Sequence, residues 1–67
     1  MNKFYAIYQN SNTVLVFDSA SERDEFVYHE SLVYPECIGV SEAEIHDLIE
    51  GKEPVYDEDF DCLVIRS

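Results

Sequence analysis

Asp57, Asp59 and Asp61 alternate with Glu58 and Phe60 in the stretch Y-D-E-D-F-D, residues 56 to 61. Alternate aspartates supply the first three ligand positions of a helix-loop-helix calcium site, because each places a hard oxygen donor toward one point. The rest of that pattern is missing. Its sixth position, which needs glycine for a sharp turn, is Cys62, and its twelfth, which needs a bidentate glutamate, falls one residue beyond Ser67. No metal site is expected.

The other chemistry-bearing residues fare no better. His29, Cys37, His46 and Cys62 lack the short C-x-x-C or H-x-x-x-H spacing that puts two zinc ligands on one element. The two cysteines lie among apolar neighbours in strand-like runs, where a thiol stays protonated and unreactive. With only Gly39 and Gly51 there is no glycine-rich phosphate loop. Acid catalysis needs one carboxyl isolated in a pocket, whereas this chain spreads carboxylates along a surface. Neither an enzyme nor a cofactor-binding protein is expected.

Fifteen Asp and Glu oppose four Lys and Arg in 67 residues, a formal net charge of -11. Self-repulsion of that size lowers stability, so a function for it is sought among partners. Direct binding to nucleic acid or anionic membrane is disfavoured, and a basic, nucleic-acid-binding protein is favoured. If residues 57 to 61 are extended, their three aspartates face one side at intervals of about 7 Å while Phe60 anchors the other. Glu22 and Glu25, and Glu44, Asp47 and Glu50, recur at helical neighbour spacing as like-charge pairs. Regular negative charge on a rigid scaffold has two readings: imitation of a phosphate backbone, or a solvated acidic surface that keeps the protein soluble. On the first, the candidate phosphate surrogates are Asp57, Glu58, Asp59, Asp61, Glu22, Asp24, Glu25, Glu44, Asp47 and Glu50, with Tyr28, Tyr34 and Tyr56 as aromatic contacts.

These residues must be positioned by a single domain spanning 1–67, since a chain this short buries only about 60% of its unfolded surface. At 46% hydrophobic with five Tyr and four Phe it can still form a core. Residues 3 to 9 and 13 to 17 read as a β-hairpin turned at Asn10-Ser11-Asn12. Apolar side chains fall on both sides of the first strand: Phe4, Ala6 and Tyr8 against Tyr5 and Ile7. Its second face is thus either covered or a contact surface. Ser19 and Glu22 have capping-box spacing and predict a helix over 20–31, with Phe26, Val27 and the stem of Arg23 inward. Tyr34-Pro35 ends it. A strand over 37–40 follows, then a second capping box at Ser41 and Glu44, a helix with Ile45, Leu48 and Ile49 inward, and a stop at Gly51. A last strand spans 62–65. The fold class is α+β, in the order β-β-α-β-α-β, with one mostly antiparallel sheet and two helices.

The pattern F-Y-A-I-Y (Phe4 to Tyr8) followed by V-F-D-S-x-x-E-R-D-E-F-V (through Val27) resembles small proteins of bacteriophages and mobile elements that open with a hairpin and an E-R-D-containing helix. Size and charge are similar to those of acidic DNA-mimic proteins among phage anti-CRISPRs and restriction inhibitors. The resemblance implies a stoichiometric inhibitor that occupies the DNA-binding surface of a Cas or restriction complex, with no residue carried over by position. With no charged N-terminal segment followed by an apolar run and no membrane-length stretch, the expected location is the host bacterial cytoplasm. A monomer is expected. The alternative is a phage or plasmid accessory module that binds through an apolar sheet face, as a homodimer burying Tyr5, Ile7 and Leu15.

Overall fold

A computed structural model describes residues 2–66. The chain folds as β1 (Phe4–Tyr8), β2 (Thr13–Phe17), α1 (Ala20–Ser31), β3 (Cys37–Val40), α2 (Glu42–Ile49), β4 (Val55–Asp57) and β5 (Cys62–Ile65). All strand pairs are antiparallel, and the sheet order is β3-β1-β2-β5-β4. The α+β architecture with one antiparallel sheet and two helices is as expected from the sequence. One strand is additional: β4 borders the sheet and pairs only with β5.

Strand alternation assigns each helix its own side of the sheet. Ala6, Leu15, Phe17 and Val64 face α1, where Phe26 and Val27 cover them together with Phe60 from the β4–β5 turn. Tyr5, Ile7, Val14, Val16 and Ile65 face the other way, onto Ile45, Leu48 and Ile49 of α2. The apolar second face of β1 is therefore closed by α2. Tyr5 and Ile7 are buried within the monomer, and Leu15 lies on the opposite face beneath α1. A dimer cannot bury those three together, which corrects the alternative expected from the sequence.

Both hairpins use four-residue turns, 9–12 and 58–61, with the fourth residue in the left-handed region. Asn12 and Asp61 each have φ near 55°. Asn and Asp are the non-glycine residues that tolerate this conformation best. Residues 58 to 61 are consequently a turn and not an extended strand. The expected alternation of Asp57, Asp59 and Asp61 along one side is replaced by a loop closed by the Asp61 amide donating to the Asp57 carbonyl at 2.8 Å.

Local signals place the helices. Ser19 accepts from the Glu22 amide, and Ser41 and Glu44 complete a reciprocal capping box. Gly51, with φ 74°, ends the α2 turn as expected. Arg23 lies along the α1 side of the sheet over the Phe4 ring and donates to the Tyr5 carbonyl at 3.3 Å. Gly39 leaves room for it, since a Cβ there would meet Arg23 Cδ at 3.2 Å. Among the described residues no helix is long and apolar enough to cross a membrane.

Candidate functional site

The two helices carry their carboxylates on opposite sides of the sheet. Glu22, Asp24 and Glu25 project from α1, whereas Glu44, Asp47 and Glu50 project from α2, and all six are exposed. The ten candidate surrogates therefore do not share one surface. What the fold does bring together is α1 and the β4–β5 turn. Phe60 anchors the turn beneath α1, its ring centroid 6.3 Å from that of Phe26 and 5.7 Å from that of Tyr8. A shallow recess lined by Asp18, Glu22, Tyr56 and Asp61 joins the N-terminal half of the helix to the turn.

Within the turn the aspartates have different jobs. Asp57 is anchored: its side chain is 17% exposed, accepts from Arg66 at 2.6 Å and accepts from the Asp59 amide at 2.8 Å. The Arg66 guanidinium holds the Asp57 carboxyl below its ordinary pKa, with the backbone bonds assisting against partial desolvation. Asp61 supplies the left-handed residue and accepts from the Tyr56 hydroxyl, which raises the tyrosine's pKa. Glu58 and Asp59 sit exposed at the tip. Of the four Lys and Arg in the chain, Lys3 is paired with Asp18, Arg23 with Asp24 and Arg66 with Asp57. On α1 and the β4–β5 turn, the carboxylates of Glu22, Glu25, Glu58, Asp59 and Asp61 have no Lys or Arg partner among the described residues.

Of the expected aromatic contacts, Tyr28 stands out from α1, Tyr34 packs edge-on against Tyr8 while keeping half its surface exposed, and Tyr56 lies on β4. Two apolar residues outside the expected contacts, Leu32 and Val33, are well exposed just after α1. Their place next to Tyr34-Pro35, outside the helix's apolar period, was the available signal.

Reactive chemistry is weakly provided. Cys37 is buried and its thiol is pushed up to about 11 by desolvation and by Glu30 and Glu36; Cys62 is raised by the same cause, with Asp57 and Asp61 nearby. Both remain thiols at neutral pH. Among the described residues no group of His, Cys, Asp and Glu is arranged to hold a metal ion, and no charged side chain is buried. With a formal net charge of -11, the chain attracts cationic surfaces over long range. No family model matches the sequence, and comparison with curated proteins and with solved structures finds no match.

Proposed function

We propose that this chain is a non-enzymatic inhibitor that works in the cytoplasm of a bacterial host by presenting the acidic face of α1 and the β4–β5 turn to the nucleic-acid-binding surface of a defence complex of the CRISPR or restriction type. It acts as a monomer without metal or cofactor, and binds neither nucleic acid nor membrane itself. The observation that carries this reading is the Phe26–Phe60 contact, which holds the β4–β5 turn, with Glu58 and Asp59 exposed in it, against the helix that carries Glu22 and Glu25. A groove lined by Lys and Arg for phosphates accepts carboxylates in their place, and a net charge of -11 steers the encounter over long range. The α2 carboxylates add to the field but lie off the contact.

Competition tests the reading. Cas effectors and restriction enzymes, each with its own duplex, are titrated with the protein over a salt series. Mutually exclusive binding, with an association rate that falls as salt rises, is expected. Two variants of equal net charge then locate the surface: Glu22→Lys/Glu25→Lys on α1 and Asp47→Lys/Glu50→Lys on α2, each changing -11 by four to -7. The α1 pair should slow association about tenfold and the α2 pair about twofold, the share due to net charge alone. Binding that leaves DNA occupancy unchanged would sink mimicry, and equal effects of the two pairs would remove the assigned face.

A further inference from the structure

The outward side of α1 changes character along its length. Its first half carries Glu22 and Glu25, whereas its end and the following turn carry Tyr28, Leu32, Val33 and Tyr34, exposed at 66, 71, 69 and 49%. Tyr28 and Leu32 are one helical turn apart and therefore neighbours. The Val33 and Tyr34 amides both donate to the Glu30 carbonyl, at 3.1 and 2.7 Å, which folds the turn back over the helix end. Tyr34 is braced on Tyr8, and the four exposed apolar side chains follow closely along the helix end and its turn. Contiguous exposed patches of several hundred Å² on small proteins mark interaction sites.

Charge indicates what covers these side chains. Glu25 lies one turn before Tyr28, and Glu30 and Glu36 share a recess with Tyr34. Arg66 also lines that recess, but it is held by Asp57. A second copy of the chain would bring -11 against -11 and the same carboxylates to the same rim, so self-association is opposed. An anionic lipid surface is repelled likewise. The complementary occupant has an apolar stripe flanked by cations.

We infer that the C-terminal end of α1 docks a basic amphipathic helix of a protein partner, with Tyr28, Leu32, Val33 and Tyr34 receiving its apolar stripe and Glu25 and Glu36 meeting its Lys or Arg. The inference rests on the proposed function in that the helix belongs to the same basic partner whose nucleic-acid site the acidic half occupies. It adds what a nucleic acid lacks: an apolar anchor that persists when salt screens the charges.

The probe is a short amphipathic helical peptide of Leu and Lys, compared by fluorescence anisotropy with a peptide of the same composition in a scrambled, non-amphipathic order. At about 0.15 M salt the amphipathic peptide should bind about tenfold more tightly, and at about 0.5 M salt its advantage should remain. Leu32→Ser/Val33→Ser should abolish that advantage without unfolding the protein, checked by circular dichroism, while Asp47→Lys/Glu50→Lys should leave it. Equal binding of the two peptides, or an advantage that survives Leu32→Ser/Val33→Ser, overturns the inference. Concentration-dependent self-association in sedimentation, lost in Leu32→Ser/Val33→Ser, overturns it in favour of a second copy. Capture by zwitterionic vesicles, lost in the same variant, overturns it in favour of lipid. Loss of DNA competition with the peptide preference intact sinks mimicry and leaves the dock, so the two failures are distinguishable.

Discussion

The two helices solve the same structural problem with different residues. Each is capped by a serine, covers one side of the same sheet and is tied to β1 by a tyrosine hydroxyl: Tyr8 donates to Glu30 of α1 at 2.6 Å, and Tyr5 donates to Glu42 of α2 at 3.2 Å. In α2, eight residues suffice: Ile45, Leu48 and Ile49 turn inward, the capping box is reciprocal, and the outside is polar. The longer α1 has twelve residues and none fully buried; it turns Phe26, Val27 and the Arg23 stem inward and leaves Tyr28 outside, with Leu32 just beyond its end. Folding accounts for nearly every residue of α2. It leaves the outer side of α1 unexplained, and the proposed contact lies there.

The largest test of this contrast substitutes an aliphatic residue at each helix. Ile45 is 3% exposed, so Ile45→Ala should cost about 2–4 kcal/mol, a large part of the roughly 3–10 kcal/mol expected for a domain of this size. Leu32→Ala should change stability by no more than about 0.5 kcal/mol, because the side chain already lies in water. Urea unfolding followed by circular dichroism measures both. Equal costs would make the α1 end part of the core and remove its role as a contact surface.

The tyrosine tethers come next. Tyr8→Phe removes a short bond to a half-buried carboxylate and should cost about 1–2 kcal/mol, whereas Tyr5→Phe, whose longer bond reaches the exposed Glu42, should cost about 0.5–1 kcal/mol. Both phenols are raised above the ordinary tyrosine value near 10, first by burial and then by the carboxylate each one meets. The folded state thus keeps protons that the unfolded state releases. Their contribution to stability is complete below about pH 10 and declines as pH rises beyond it. Alkaline unfolding should therefore be shallower in Tyr8→Phe than in the parent, and a parallel pair of curves would show that the Tyr8 phenol is not the linked group.

Sequence patterns carried the elements better than their arrangement. Two serine caps, a Pro after α1 and a Gly after α2 are local signals acting within one turn, and the helices begin and end beside them. The face of each helix also followed from period, down to the stem of Arg23. The β4–β5 turn did not, because D-E-D-F-D contains no glycine and its left-handed residue is an aspartate, a weaker mark than the Asn12 of the first hairpin. Val55–Asp57 is too short for alternation to identify and is a strand only because β5 offers it an edge. The division of the acidic helices between two sides is a matter of topology. Apolar residues on both faces of β1 showed that two covers were needed, but not that the helices would take one each.

The smallest effect separates the two glutamates three residues beyond the caps. Glu44 accepts from the Ser41 amide at 3.1 Å, closing the α2 box, whereas in α1 only the serine half is formed among the described residues and Glu22 turns toward the recess it shares with Asp61. Glu44→Ala should therefore destabilise by about 0.5 kcal/mol more than Glu22→Ala, since both lose the same attraction to a helix N-terminus but only Glu44 also loses a hydrogen bond. Relief of like-charge repulsion against Glu25 offsets part of the cost at position 22. Paired urea titrations at low salt resolve a difference of this size as a shift in midpoint at constant slope. If Glu22→Ala proves the more costly of the two, Glu22 is a capping residue in solution, and its carboxylate is withdrawn from the acidic face on which the α1 contrast depends.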